Sequence, residues 1–375
     1  MIYLDNAATT FMFKEGVGVF EKYACHTFFN PSAGYKVAID VAKELDCVRN
    51  DILDKLRAKK GNIIFTSGAT ESNNLAIMGS KRNGKWEYIF TVGEHPSVYN
   101  TAKELENQGF IVHFVGLQEN GQVDYKKLES LLNEKTRFIS VIHVSNETGA
   151  INDIKKISDL RNRLAKNALL HVDGVQAFCK LDVSVDEMGV DFYTMSAHKF
   201  HGPKGVGALY VKNLNSFKPN VFGGGQEGGY RSGTENVGGI MAMDYAVKNI
   251  DVNKNFNHVK ELKKTMIELL NAQKGVECSK FFNDESPYIL SVSFSGVNGE
   301  TLMRALQDKG VIVGIGSACS AKKSGNRILE SMGKNKDDIK SHIRISFNEF
   351  LSLEEIRNAA KIILDEYKNI WEKVK

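Results

Sequence analysis

Residues Asp191–Gly207 read DFYTMSAHKFHGPKGVG, and the character of the chain changes in the middle of them. An apolar run fit for a buried strand ends at Ser196, after which a hydroxyl, an imidazole and an amine follow in Ser196, His198 and Lys199. A turn containing Gly and Pro closes the stretch. Buried strands of parallel sheets release functional residues at their C-terminal ends. A lysine at such a place either reaches solvent, the common fate of lysine, or forms a Schiff base with an aldehyde cofactor, which requires a carbonyl-binding pocket. Lys199 alone leaves both readings open.

The same pattern recurs upstream. A strand at Asn62 to Thr66 runs into Ser67-Gly68-Ala69-Thr70-Glu71-Ser72-Asn73-Asn74 and then a helix. A strand, a small-residue turn and a helix start present free backbone N–H groups to a phosphate, with the Thr70 hydroxyl at hand. The GxxxxGK[ST] spacing of a Walker loop is absent, and a simple capped helix fits these residues equally well. Strand Tyr88 to Val92 ends at Gly93-Glu94-His95-Pro96, where the imidazole could stack on a flat cofactor or hydrogen-bond in a turn. Strand Phe138 to Val144 closes on Ser145-Asn146-Glu147, and strand Leu169 to Val172 on Asp173-Gly174-Val175-Gln176. Repetition of strand, polar strand end and helix predicts a mostly parallel sheet covered by helices, with a site along the strand C-termini. Thr70, His95, Asn146, Asp173, Gln176, Ser196, His198 and Lys199 all fall at those ends. A carboxylate at a buried strand end, such as Asp173, needs a positive partner, and a protonated pyridine nitrogen is one. Phosphate cradle, ring-nitrogen acid and Schiff-base lysine together point to pyridoxal phosphate.

Elsewhere the patterning is structural. Val41, Leu45, Val48, Ile52 and Leu56 recur at helical steps, with Cys47 read as a packed thiol of that helix. Gly223 to Thr234 reads as a polar mobile loop, and Gly238 to Leu270 as a long helical segment leaving the large domain. Tyr288 to Phe294 alternates as a half-exposed strand, His342 to Phe347 is a strand carrying Arg344, and a capping box at Ser352–Glu355 opens the terminal helix. Cys319 stands apart in a loop rich in Gly, Ser and Lys, where Lys322 and Lys323 would favour its thiolate. An activated thiol on such a loop suits taking an atom from a buried site and delivering it elsewhere.

The totals narrow the class. At 375 residues, with 42% hydrophobic and 25% charged residues, the chain predicts a soluble protein with one large domain and one smaller one. A net charge of +4 is too weak to argue for nucleic-acid binding. Five scattered cysteines form no metal-ligand spacing and fit a reducing compartment. No apolar run reaches membrane-spanning length and the chain opens on MIYLDNAATT, so a cytoplasmic location is expected.

The chain resembles the cysteine desulfurases of the NifS/IscS type, within the class V aminotransferase-like, fold-type I enzymes. The motifs that carry the resemblance are YLDNAATT, SGATESNN, EHPSV, HVSNETGAI, HVDGVQA, SAHKFHGPKGVGALYV, GGGQEGGYRSGT, GSACS and SHIRISF, spread over nearly the whole length. The resemblance implies a mostly parallel seven-stranded sheet in a large pyridoxal-phosphate-binding domain, residues 15–254. Residues 1–14 and 255–375 would form a smaller α+β domain with the cysteine loop. It implies that Lys199 forms the Schiff base, His95 stacks on the ring, Asp173 pairs with the pyridine nitrogen and Gln176 contacts the ring hydroxyl. Ala69, Thr70, Ser196 and His198 would bind the phosphate, joined by Thr234 from the partner subunit of a homodimer. Asn146 and Arg344 would hold the substrate, L-cysteine, and Cys319 would attack its sulfur, become a persulfide and leave L-alanine. A sulfur-acceptor protein, either an iron–sulfur scaffold or a tRNA-thiolating enzyme, would receive the sulfur, with no direct contact to nucleic acid or membrane and no metal.

The chain departs from the family at Ala33-Gly34-Tyr35, at Gly228 after Glu227, and at Lys322-Lys323 after the cysteine. These departures lie away from the core chemistry and bear on the sulfur acceptor. A selenocysteine lyase or another class V aminotransferase is the alternative within the superfamily, and a sulfur-relay partner with little turnover the alternative outside it. Cys319 opposes an aminotransferase, and the set Lys199, Asp173, Arg344 and Cys319 opposes the relay partner.

Overall fold

The computed structural model describes residues 1–278, 285–316 and 326–374. Cys319 therefore lies outside the described residues, as do Lys322 and Lys323.

After β1 (Ile2–Leu4) the chain builds a seven-stranded sheet from β2 (Asn62–Thr66), β3 (Glu87–Thr91), β4 (Ile111–Val115), β5 (Thr136–Ile142), β6 (Leu169–Asp173), β7 (Phe192–Ser196) and β8 (Gly207–Val211). The spatial order is β2-β8-β7-β6-β5-β3-β4. Only β8 runs against the others, antiparallel to both β7 and β2. The cause is the connection. Ala197 to Val206 is too short for a helical crossover, so the chain returns beside β7 as a broad hairpin, closed by Ala197 N–H donating to Val206 O at 3.0 Å. The Lys199 strand end is thus not followed by a helix, unlike those before it.

Alternate strand residues feed the two faces. Ile63, Phe65, Tyr193 and Met195 join one core, while Ile64, Phe192, Leu209 and Val211 join the other. A sheet buried on both faces needs near-continuous apolar strands, which is why these runs do not alternate in the sequence. Helix Ala69–Gly79 and helix Pro96–Asn107 cover one face through Leu75, Ile77, Val98 and Leu105. Helices Lys36–Lys55, Ile154–Leu164 and Val237–Asn249 cover the other. On helix Lys36–Lys55 the buried face is Ala38, Val41, Leu45, Val48 and Ile52, each large side chain contributing about 1.5–3 kcal/mol. Cys47 lies off that face and is exposed, not packed.

The last third adds a three-stranded sheet, β12-β10-β9, from β9 (Val276–Cys278), β10 (Ile289–Phe294) and β12 (His342–Ser346), while β11 (Val311–Val313) pairs parallel with β1. Strand β10 is almost wholly buried, against the half-exposed strand its alternation predicts, because it is the middle strand and Ser291 hydrogen-bonds His342 at 2.7 Å. The predicted long helical segment is two helices, Val237–Asn249 and Val252–Asn271. They break at Ile250–Asp251, where the Asp251 carboxylate caps the second by accepting from Lys254 N–H at 3.0 Å. The terminal capping box forms as expected, Ser352 Oγ accepting from Glu355 N–H at 3.1 Å and Glu355 Oε2 from Ser352 N–H at 2.8 Å.

The glycine-rich loop is held in place. Glu227 accepts two hydrogen bonds from Arg49, each at 2.8 Å, and one at 2.9 Å from Phe65 N–H, which faces outward from the edge strand β2. A polar stretch that looks mobile in sequence is thus tied to the sheet by a nearly buried carboxylate.

Candidate active site

The six strands that run the same way deliver their C-terminal ends to one rim, where a cavity of about 670 Å³ opens. Ala69, Thr70, His95, Asn146, Asp173, Gln176, Ser196, His198, Lys199 and Arg344 all line it. Thr234 does not; it is exposed on the surface of the single chain.

Lys199 sits in a single 3-10 turn after β7. Its Nζ donates to the carbonyls of Ala7 and Ala8, each at 2.7 Å. Partial burial, with the Arg344 guanidinium nearby, pushes its pKa down to about 8. The amine therefore spends on the order of a hundred times longer neutral at physiological pH than a free lysine, the state in which it can attack a carbonyl.

Asp173 ends β6 and is 2% exposed. Its two oxygens accept from Asn73 Nδ2 at 2.9 Å and Val175 N–H at 3.1 Å. His95 caps helix Pro96–Asn107, its Nδ1 lying 2.8 Å from Ser97 Oγ, so the turn role and the cavity role coexist. The cleft lowers the His95 pKa by restricting its solvation, against the pull of Asp173. His198 pairs with Thr9 Oγ1 at 3.1 Å, and burial, then Lys199, push its pKa down to about 4.

At the other wall, Arg344 of β12 donates to Asn146 O at 2.8 Å and to Asp5 Oδ1 at 2.7 Å. Two of its five N–H donors are thereby used. The buried Nε of Arg344 and Oδ1 of Asn146 have no hydrogen-bond partner among the described residues.

The end of the cavity at the start of helix Ala69–Gly79 is shaped by missing atoms. Gly68 precedes helix Ala69–Gly79 at φ 151°, ψ 179°, a conformation essentially reserved for glycine, and supplies no side-chain cap. The first-turn N–H groups of the helix are thus left for another acceptor. Across the cradle, a Cβ on Gly207 would stand 2.6 Å from Gly68 Cα and 2.8 Å from Met195 O. Gly207→Ala is therefore expected to cost about 1–3 kcal/mol by pushing the turn outward and to weaken cofactor retention. Thermal unfolding with and without pyridoxal phosphate checks this, and a variant as stable and as tightly loaded as wild type would refute it. Beside the cradle, burial alone would raise the Glu71 carboxyl. Hydrogen bonds from Arg231 and Ser67 hold it below its usual range and offset its charge beside the helix start.

The residues present fit pyridoxal phosphate on these observations: an uncapped helix start with Ser196 and His198 beside it, a buried carboxylate, and an amine that is readily neutral. Several residues of the site escape the sequence reading. Asn73 holds Asp173, the carbonyls of Ala7 and Ala8 hold Lys199, and Lys180 holds Gln176. Asn73 had a signal, since it falls one helical turn after Ala69 and Thr70 on the same face. Among the described residues, no group of three or more His, Cys, Asp or Glu is placed to hold a metal ion. Nor is any described helix long and apolar enough to cross a membrane.

Residues 2–358 match the family model described as aminotransferase class-V. The chain is 36% identical over 373 residues to the cysteine desulfurase IscS of Buchnera aphidicola subsp. Baizongia pistaciae, covering 96% of this chain and 91% of that one. It is 35% identical to the cysteine desulfurase IscS of Neisseria meningitidis serogroup C, over 100% and 95% of the two chains. A solved NifS-like protein superposes with a TM-score of 0.91 at 30% identity, over 97% of this chain and 98% of that one. The solved SspA in complex with cysteine gives 0.81 at 29% identity, over 94% and 100%. With the match running through every strand that feeds the cavity, the chain belongs to the class-V aminotransferase family and, within it, to the cysteine desulfurases.

Proposed function

We propose that the chain works as a pyridoxal-phosphate-dependent cysteine desulfurase, converting L-cysteine to L-alanine and loading the sulfur on Cys319 as a persulfide. The observation that carries this reading is one cavity holding the Lys199 amine, the Asp173 carboxylate and an incompletely paired Arg344 guanidinium.

Ala69, Thr70, Ser196 and His198 would hold the phosphate, Asp173 the ring nitrogen, Gln176 the ring hydroxyl and His95 the ring face. When bound, the cofactor supplies an electron sink for charge released at the substrate Cα. Arg344 uses its remaining donors to grip the substrate carboxylate, with Asn146 beside it. Lys199 in its neutral form takes the Cα proton and can return it. The Cys319 thiolate then attacks the substrate sulfur. A sulfur–sulfur bond forms, the Cβ–S bond breaks, its electron pair goes to Cβ, and a proton completes the methyl group of alanine. The persulfide passes its outer sulfur to an acceptor protein serving iron–sulfur cluster assembly or tRNA thiolation, in the cytoplasm.

Two features of assembly belong to the same reading. Residues 15–254 form the cofactor domain, and 1–14 with 255–375 the smaller one. In a homodimer Thr234, exposed on the single chain, would reach the partner's phosphate site.

The test is release of alanine and sulfide in equal amounts from L-cysteine by the cofactor-loaded protein with a thiol reductant. A loaded protein that forms neither product overturns the reading. Arg344→Lys keeps the charge beside Asp5 but gives up the planar fork. It is expected to raise KM for L-cysteine about 10- to 100-fold, the worth of a charged hydrogen bond. Steady-state kinetics check it, and an unchanged KM removes Arg344 from substrate binding.

A further inference from the structure

We propose that Lys180 is a positioning residue: its side chain locks the amide of Gln176 in one orientation and so sets how that amide meets the cofactor ring. The inference rests on the reading of Gln176 as the residue that contacts the ring hydroxyl.

Lys180 lies four residues beyond Gln176, in the turns that follow β6. It is 6% exposed, and the carboxylate that acts on it, Glu349, makes its hydrogen bonds with His201 and Asn255 instead. Its Nζ donates to Gln176 Oε1 at 2.8 Å and lies 5.5 Å from the centre of the Tyr288 ring. Burying an ammonium without a counter-ion is unfavourable, and a methionine would fill the same space without that penalty. Packing alone therefore gives no reason for a lysine here.

Gln176 gives the reason. Its Oε1 accepts from Lys180, and its Nε2 donates to Ala7 O at 2.9 Å. Flipping the amide would set Nε2 against the Lys180 donor and Oε1 against the Ala7 carbonyl, two repulsive contacts at once. Orientation is thus imposed by partners of opposite character on either side. The second N–H of Nε2 remains for the cavity that Gln176 lines. Ala7 O also accepts from Lys199 Nζ at 2.7 Å, so Lys180, Gln176, Ala7 and Lys199 form one connected chain. The groups facing Lys180 are Lys199 and Arg344, which disfavour its charge, and Glu349 and Cys179, which favour it; burial outweighs them and its pKa falls to about 7.

A donor held on the ring hydroxyl disfavours the protonated form of the bound chromophore. Lys180→Met should therefore raise the pH midpoint of the yellow cofactor band by about one unit, while Lys180→Arg, which keeps the donor, should leave it near wild type. Both variants are checked for fold by near-ultraviolet dichroism and thermal unfolding before titration. Gln176→Leu should produce a shift of the same sign, and Lys180→Met added to it should produce little more. A wild-type midpoint in Lys180→Met, a full Met-like shift in Lys180→Arg, or shifts that add fully in the double variant would each overturn the proposal. Gln176→Leu with an unmoved midpoint would instead overturn the reading of Gln176, and this inference with it.

Discussion

Lys199→Ala is expected to abolish the covalent attachment of the cofactor and to lower alanine release from L-cysteine by at least about 10⁴-fold. Among the described residues the one other lysine lining the cavity, Lys204, is exposed, whereas Lys199 is largely withdrawn from solvent. Its Nζ is held between the carbonyls of Ala7 and Ala8, inside the cavity that also contains Asp173 and Arg344. The other buried lysine nearby, Lys180, is committed to Gln176. Alanine leaves no buried carbonyl without a donor, because Ala7 O keeps its bond from Gln176 and Ala8 is exposed to water. The fold should therefore survive, and loss of activity can be assigned to chemistry. Borohydride reduction followed by mass spectrometry checks the attachment: the wild type should keep the cofactor mass on Lys199 and the variant should not. A variant retaining a tenth of wild-type turnover would remove Lys199 from its proposed role.

Cys319→Ala is expected to keep the cofactor colour and its spectral response to L-cysteine while losing sulfide release by about 10³-fold or more. This change separates the sulfur step from cofactor chemistry. Cys319 lies outside the described residues, but both flanks are placed. Gly316 lines the cavity beside Glu147, and Arg327 donates to Val92 O and Glu94 O while its guanidinium covers the Tyr99 ring at 3.7 Å. Both flanks therefore sit at the rim, one near Asn146 and the other at the His95 turn. In the sequence Lys322 and Lys323 follow the thiol and would favour its ionised form if they lie near it. Sulfide assay and product analysis read the outcome, and unchanged sulfide release would end the persulfide assignment.

How much of this was legible beforehand depended on the range of the interaction. The helix Lys36–Lys55 and the capping box at Ser352–Glu355 were readable because periodicity and caps act over three or four residues. The strand ends carrying Ser196, Asp173 and His95 were readable because a polar residue after an apolar run is a local event. The half-exposed reading of β10 failed because burial on its second face comes from neighbours far along the chain. The mobile reading of the glycine loop failed because Glu227 finds Arg49 across 178 residues. Cys47 failed for a smaller reason, its place on the exposed side of an amphipathic helix.

Asp191–Gly207 shows the division within one stretch. Its sequence determined a buried strand that ends at Ser196 and a lysine three residues beyond it, since side-chain polarity and turn chemistry act locally. Together with the other motifs it also determined the family and the cofactor it implies. Only the tertiary structure decided that the strand after Lys199 runs backward, that Ala7 and Ala8 from the other end of the chain hold its amine, and that Lys180 reaches Gln176 behind it. Hydrogen bonds between distant segments require that both be fixed at once by the packed core, and no local pattern encodes such a pairing.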